Sequence, residues 1–190
     1  MDLSPLDIRV IVIVVVAVLL VAGISWIYMR RRKTAALRQK FGSEYNRAVL
    51  VHGSERKAEA KLADREKRVE KLNIRDLDSF ELARFAKQWE SVQARFVDSP
   101  KGAVMEADDL VTSLMKTRGY PVADFDQRAA DISVDHPKVV ENFRNAHETT
   151  MRVGRSEATT DELRGAMIHY RALYEELMQV TPPVIVRVAS

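Results

Sequence analysis

The chain has 190 residues, with 30 Lys and Arg against 27 Asp and Glu, a formal net charge of +3 and no cysteine. The lack of cysteine excludes disulfides, thiolate metal sites and cysteine nucleophiles, and it agrees with a reducing compartment. Arg9 and Arg30 to Lys33 supply five of the bases and Asp2 and Asp7 two of the acids, which leaves 25 of each elsewhere. A domain without net field is not expected to bind nucleic acid.

Residues Val10 to Met29 read VIVIVVVAVLLVAGISWIYM, twenty uncharged residues of which thirteen are Val, Ile or Leu. As a helix this stretch covers about 30 Å, the thickness of a bilayer's hydrocarbon. Its aliphatic residues favour insertion by roughly 4–8 kcal/mol in total. β-Branched Val and Ile are indifferent helix formers in water, but unsatisfied backbone groups cost so much in lipid that the helix is enforced. The bilayer is therefore the first partner the sequence names. Arg30, Arg31, Arg32 and Lys33 follow the span while Arg9 alone precedes it. The positive-inside rule then places the tail, residues 1–9, outside and all that follows Lys33 in the cytoplasm. Trp26 and Tyr28 fall at the basic end, where half-polar rings suit the headgroup layer. A cleaved signal peptide is the competing reading, but it requires basic charge before the apolar run and a small-residue cleavage site after it. The basic cluster reads as a topology signal rather than a lipid-recognition site.

Helical periodicity runs from Ala35 to Met178 and predicts an all-α soluble part. A basic juxtamembrane and charged helical segment covers residues 30–75, a helical bundle 76–180 and a flexible tail 181–190. Thr34 to Phe41 ends at Gly42, and Ser43 is positioned to cap a helix through Glu44, Tyr45 and Val49. Gly53 and Ser54 predict a kink. From Glu55 to Leu72, Ala58, Leu62, Val69 and Leu72 follow a four-three spacing with Arg65 in the intervening seam position. So thin a seam suits a solvated helix resting one narrow face on its neighbours better than a coiled coil.

After a break at Asn73 to Leu77, Asp78 or Ser79 caps a helix whose Leu82, Phe85, Trp89, Val92 and Phe96 form the strongest amphipathic stripe in the chain, read as core. Val97-Asp98-Ser99-Pro100-Lys101 closes it and opens the next helix, with Pro100 in a first turn. That helix buries Val104, Ala107, Val111 and Leu114 and stops at Arg118-Gly119-Tyr120-Pro121, where Arg118 and Tyr120 read as fold-defining. Val122 to Ile132 predicts a short helix with Phe125 inward. Val134-Asp135-His136-Pro137-Lys138 then repeats the earlier pentapeptide at four of five positions. It predicts a helix from Pro137 carrying Val140, Phe143 and Met151. Thr159 and Glu162 have capping-box spacing. They start a last helix with Leu163, Ala166, Tyr170, Leu173 and Leu177 on one face, ended by Pro182-Pro183. The final VIVRVAS alternates like a strand but has none to pair with.

No glycine-rich phosphate loop, nucleophile elbow or dinucleotide fingerprint is present. His147-Glu148-Thr149-Thr150-Met151 matches the H-E-x-x-H zinc helix until Met151 replaces the second histidine, which removes the zinc reading and leaves His147 as a surface or boundary residue. Asp131, Asp135 and His136 form the one other polar cluster. The simplest account is that Asp135 or His136 caps the helix at Pro137 while Asp131 closes the preceding one. The alternative is a set that holds a metal or serves as acid and base. The sequence therefore assigns no catalytic residue, no metal ligand and no cofactor.

Several motifs recur together here: the N-terminal span, Leu37-Arg38, Phe41-Gly42-Ser43-Glu44-Tyr45, Trp89 to Pro100, Arg118-Gly119-Tyr120-Pro121, Ser133 to Pro137, and His169-Tyr170-Arg171-Ala172-Leu173. In this the chain resembles a family of bacterial single-pass membrane proteins without an established activity. The resemblance implies a bacterial inner-membrane location and a cytoplasmic helical domain. The functional expectation is a membrane-anchored, non-enzymatic scaffold or adaptor acting on a protein partner, or on itself, through its helices. The alternative is a tethered enzyme or a metal or ligand sensor built on Asp131, Asp135 and His136.

Overall fold

The structure, a computed structural model, describes residues 5–121, 123–155 and 157–179, with side chains from residue 14 onward. Among these residues there are eight α-helices and no strand, so the all-α class expected from periodicity is the one adopted. Pro182-Pro183 and the strand-like VIVRVAS end lie outside the described residues. The chain divides into two compact units, residues 1–40 and 41–190.

The described residues of the first unit belong to one helix, α1 (Pro5–Phe41), which contains all of Val10–Met29 and reaches the first residue of the second unit. With 37 residues it is about 55 Å long. Thr34 to Phe41, expected as a separate segment, continues it, because Ala35 to Lys40 are strong helix formers with no breaker among them. Large apolar side chains from Val14 to Met29 are 49–68% exposed. Among the described residues this is the one helix long and apolar enough to cross a membrane. The Arg30 guanidinium lies 5.8 Å from the Trp26 ring centroid, one turn back.

In the second unit, Gly42 alone separates α1 from α2 (Ser43–His52), at a φ of 51° that side chains rarely adopt. The boundary residue is thus Gly42, and Ser43, expected as the cap, is the first helical residue. Gly53 closes α2 in the left-handed conformation and Ser54 opens α3 (Glu55–Val69) by accepting from the Lys57 N–H. The expected kink is therefore a full reversal, and α3 packs back along α2. Ala58 and Leu62 are fully buried within the chain.

Asp78 and Glu81 make a reciprocal capping box at the start of α4 (Ser79–Arg95), as Thr159 and Glu162 do for α8 (Thr160–Met178). Pro100 stands in the first turn of α5 (Pro100–Thr117), and Asp124 caps α6 (Phe125–Asp135) by accepting from the Gln127 N–H at 2.9 Å. The second proline signal works differently from the first. Ser99 and His136 are both held out of the helical region by the following ring. The chain enters α5 directly from Ser99, whereas Pro137 to Val139 form a turn and α7 (Val140–Gly154) starts three residues after the proline. Met151 is accordingly not core but 53% exposed. Three-four steps from Phe143 reach Ala146, Thr149 and Val153, which with Val140 and Phe143 are the buried residues of α7.

The apolar core forms where α5 and α8 pack together, with α4 against α5 and α7 against both. Trp89 of α4 stacks on Tyr174 of α8 at 4.7 Å and 12°. The expected stripes of α4, α5 and α8 all belong to this core, Leu82 and Phe96 at its half-buried edge. One turn then ties the ends together. Arg118, 2% exposed, donates to the Leu177 carbonyl at 2.7 Å and reaches Asp76 at 3.2 Å, while its own carbonyl accepts from the Arg75 N–H. The fold-defining role read for Arg118 and Tyr120 has this as its physical form.

Candidate functional site

Asp131 lies within α6, four residues before its last residue and so does not close it, and Asp131, Asp135 and His136 each turn to a different partner. Asp135 is the last residue of α6 and His136 its C-cap, so neither caps α7 and the capping expectation is corrected. Asp131 is 1% exposed and one oxygen takes three donors: Arg68 Nε at 2.8 Å, Arg68 Nη2 at 2.6 Å and Gln127 Nε2 at 2.8 Å. Its second oxygen is buried without a hydrogen-bond partner among the described residues. Asp135 accepts from the Tyr120 hydroxyl at 2.9 Å. Burial first, and the Asp135 charge second, push that phenol's pKa far up, so it stays a donor at every ordinary pH. His136 places Nδ1 3.0 Å from Glu176 of α8. The three side chains thus fasten α6 to α3, to the α5–α6 connection and to α8. Among the described residues no group of three or more His, Cys, Asp or Glu is placed to hold a metal ion.

A more developed constellation joins α2, α3, α6 and α7. Glu44, in the first turn of α2, is 3% exposed and receives Arg65 of α3 at 2.8 Å and Arg144 of α7 at 2.7 Å on the same oxygen. Arg65 also reaches Ser133 of α6 at 3.4 Å. With Arg68–Asp131 alongside, α2 and α3 meet the bundle through ion pairs. Tyr45, Ala48, Ala58 and Leu62, their own buried residues, belong to no part of the bundle core. Sequence reasoning missed this seam. Its one visible signal is Arg65, a charge where the heptad spacing calls for an apolar residue.

A third cluster lies between α5, α6, α7 and α8. His147 stacks face to face on Phe125 at 3.7 Å and 7°, with Nδ1 3.8 Å from Asp108, too long for a hydrogen bond. Asp108 accepts from the Tyr170 hydroxyl at 2.9 Å, and Tyr170 shares a 2.8 Å hydrogen bond with Thr150. Burial alone would raise the Asp108 carboxyl, but the pull of His147 and Tyr170, with the Arg128 charge behind them, holds it below its ordinary value. His147 is thus a half-buried packing residue at the boundary of the core. His169 contacts Asn142 at 3.2 Å.

Fold and side chains together define an all-α protein with, among the described residues, one apolar helix of membrane length and a helical unit welded by buried ion pairs. No protein-family model, no curated protein and no solved structure matches the chain.

Proposed function

We propose that the protein is a single-pass, non-enzymatic scaffold or adaptor of a bacterial inner membrane, with its helical unit in the cytoplasm and its activity exercised through protein contacts. The observation that carries this reading is the dispersal of Asp131, Asp135 and His136 onto separate structural partners. The residues with most chemical promise in the sequence hold helices together instead of facing one substrate. The tethered enzyme or sensor built on those three residues draws no support from that geometry. Leu50 and Val51 of α2, 83% and 68% exposed, offer apolar surface of the kind a protein partner covers. A tether adds high local concentration.

The orientation rests on Arg30 to Lys33 following the span. The chain lacks cysteine, so Ser4→Cys and Lys57→Cys give single labelling sites. A membrane-impermeant maleimide should modify Ser4→Cys in intact spheroplasts and Lys57→Cys after lysis; the opposite pattern reverses the topology. The adaptor reading is tested by cross-linking the full-length protein in its membrane, followed by mass spectrometry. A stoichiometric foreign protein joined to one helix face supports it, links between copies alone point to a homo-oligomeric structural element, and no link between chains removes it.

A further inference from the structure

Beside Glu44 opens a cleft of about 150 Å³ lined by Ser43, Glu44, Arg47, Glu141, Arg144 and Asn145. The carboxylate at its floor is already shared by Arg65 and Arg144. Arg47 brings a third guanidinium to the wall, exposed and with no hydrogen bond or ion pair among the described residues. Arg144 gives only one of its nitrogens to Glu44, and its Nε is buried without a partner. Burial depresses the pKa of the Arg144 guanidinium; Glu44 opposes that, while the Arg47 and Arg65 charges add to it. Three cations therefore surround one buried anion, and Glu141 on the rim offsets part of the excess. Such an arrangement is short of negative charge at a place that has room for it.

We infer that this cleft binds a small oxyanion of the phosphate or phosphomonoester class, held between Arg47 and Arg144. Planar guanidinium groups with free N–H donors match tetrahedral oxyanions, which take several charge-assisted hydrogen bonds at once. The same chemistry is carried by a soluble phosphate and by the headgroup of a phosphomonoester lipid.

The probe is inorganic phosphate, titrated calorimetrically into the full-length protein in phosphatidylcholine nanodiscs. Saturable binding is expected. Arg47→Gln, an exposed position whose loss leaves the Glu44 ion pairs intact, should weaken it by about tenfold, the loss of one charged hydrogen bond. Glu141→Gln, which removes the rim's negative charge, should strengthen it. No saturation by about 10 mM phosphate, or affinities unchanged in both variants while circular dichroism reports them folded, overturns the site. Repeating the titration with phosphatidic acid in the nanodiscs assigns the source. Competition identifies the lipid headgroup as the occupant, and undiminished phosphate binding identifies a soluble ligand.

Discussion

At Gly119 the backbone stands at a φ of 100°, and an added Cβ would lie 2.3 Å from the Asn73 carbonyl oxygen. Both the dihedral and the space require glycine there. Gly119→Ala is expected to destabilise by about 3 kcal/mol, strain and overpacking together. Gly42→Ala, at a φ of 51° with nothing near its Cβ position, should cost about 1 kcal/mol through the dihedral alone; paired denaturant unfolding curves measure the difference. Asp108 gives a second residue-level test. Its folded carboxyl is held below the unfolded value of 3.8. The stability it contributes is therefore complete above that pH and drains away as pH falls through the lower folded value. Wild type should lose more stability than Asp108→Asn between pH 5 and pH 3, and equal losses in urea titrations would rule that role out. Neither residue was legible in this detail from the sequence. Gly119 was read as a stop but not as a point of backbone contact with Asn73, and Asp108 sat unremarked in a helical stripe, because its partners come from α7 and α8.

The elements divide by how local their causes are. The capping box of α8 and the three-four stripes of α4, α5 and α8 are all local, and all were readable, while Gly53 was read as a kink and is the αL end of α2. Asp78→Ala should cost about 1 kcal/mol by removing the N-cap of α4, with the loss appearing in hydrogen exchange at the first turn of that helix. Glu81 feels the same cap: its hydrogen bonds with Arg75 and the Asp78 N–H hold its pKa at about 2. The seam at Glu44 is the contrary case. Its members are 21 and 100 residues apart in the chain, and nothing in helical periodicity couples them. Glu44→Gln leaves Arg65 and Arg144 facing each other in a largely buried site and should cost about 3 kcal/mol. Exchange protection should fall mainly in α2 and α3, and a uniform fall across all helices would contradict the seam's role. The pentapeptide repeat misled for a related reason. Pro137 sets the conformation of His136 as Pro100 sets that of Ser99, but the Glu176 contact of His136 and the three-residue turn that follows place α7 in a different register, and Met151 is exposed.

On the scale of the whole chain, the two cohesive devices of residues 41–190 differ in kind. The bundle is held by a continuous apolar core from Leu77 to Leu177, whereas α2 and α3 join it largely through ion pairs. The carboxylates of these pairs are buried but the Arg68 guanidinium is 40% exposed, and an ion pair open to solvent on one side weakens with salt while apolar burial does not. Raising the salt concentration should therefore lower exchange protection in α2 and α3 before it touches α5 or α8, and simultaneous loss would show a single cooperative unit. The sequence by itself determined that the chain is all-α, that its N-terminal helix is apolar and long enough to cross a membrane, and which faces of α4, α5 and α8 are buried. Each of these follows from spacing along one helix or from composition within one stretch. Only the tertiary structure decided that Asp131, Asp135 and His136 part company, that Arg65 replaces an apolar seam residue to reach Glu44, and that Arg47 and Arg144 share a cleft. Long side chains from distant segments meet according to where helices cross, and the crossing is set by the packing of the whole core.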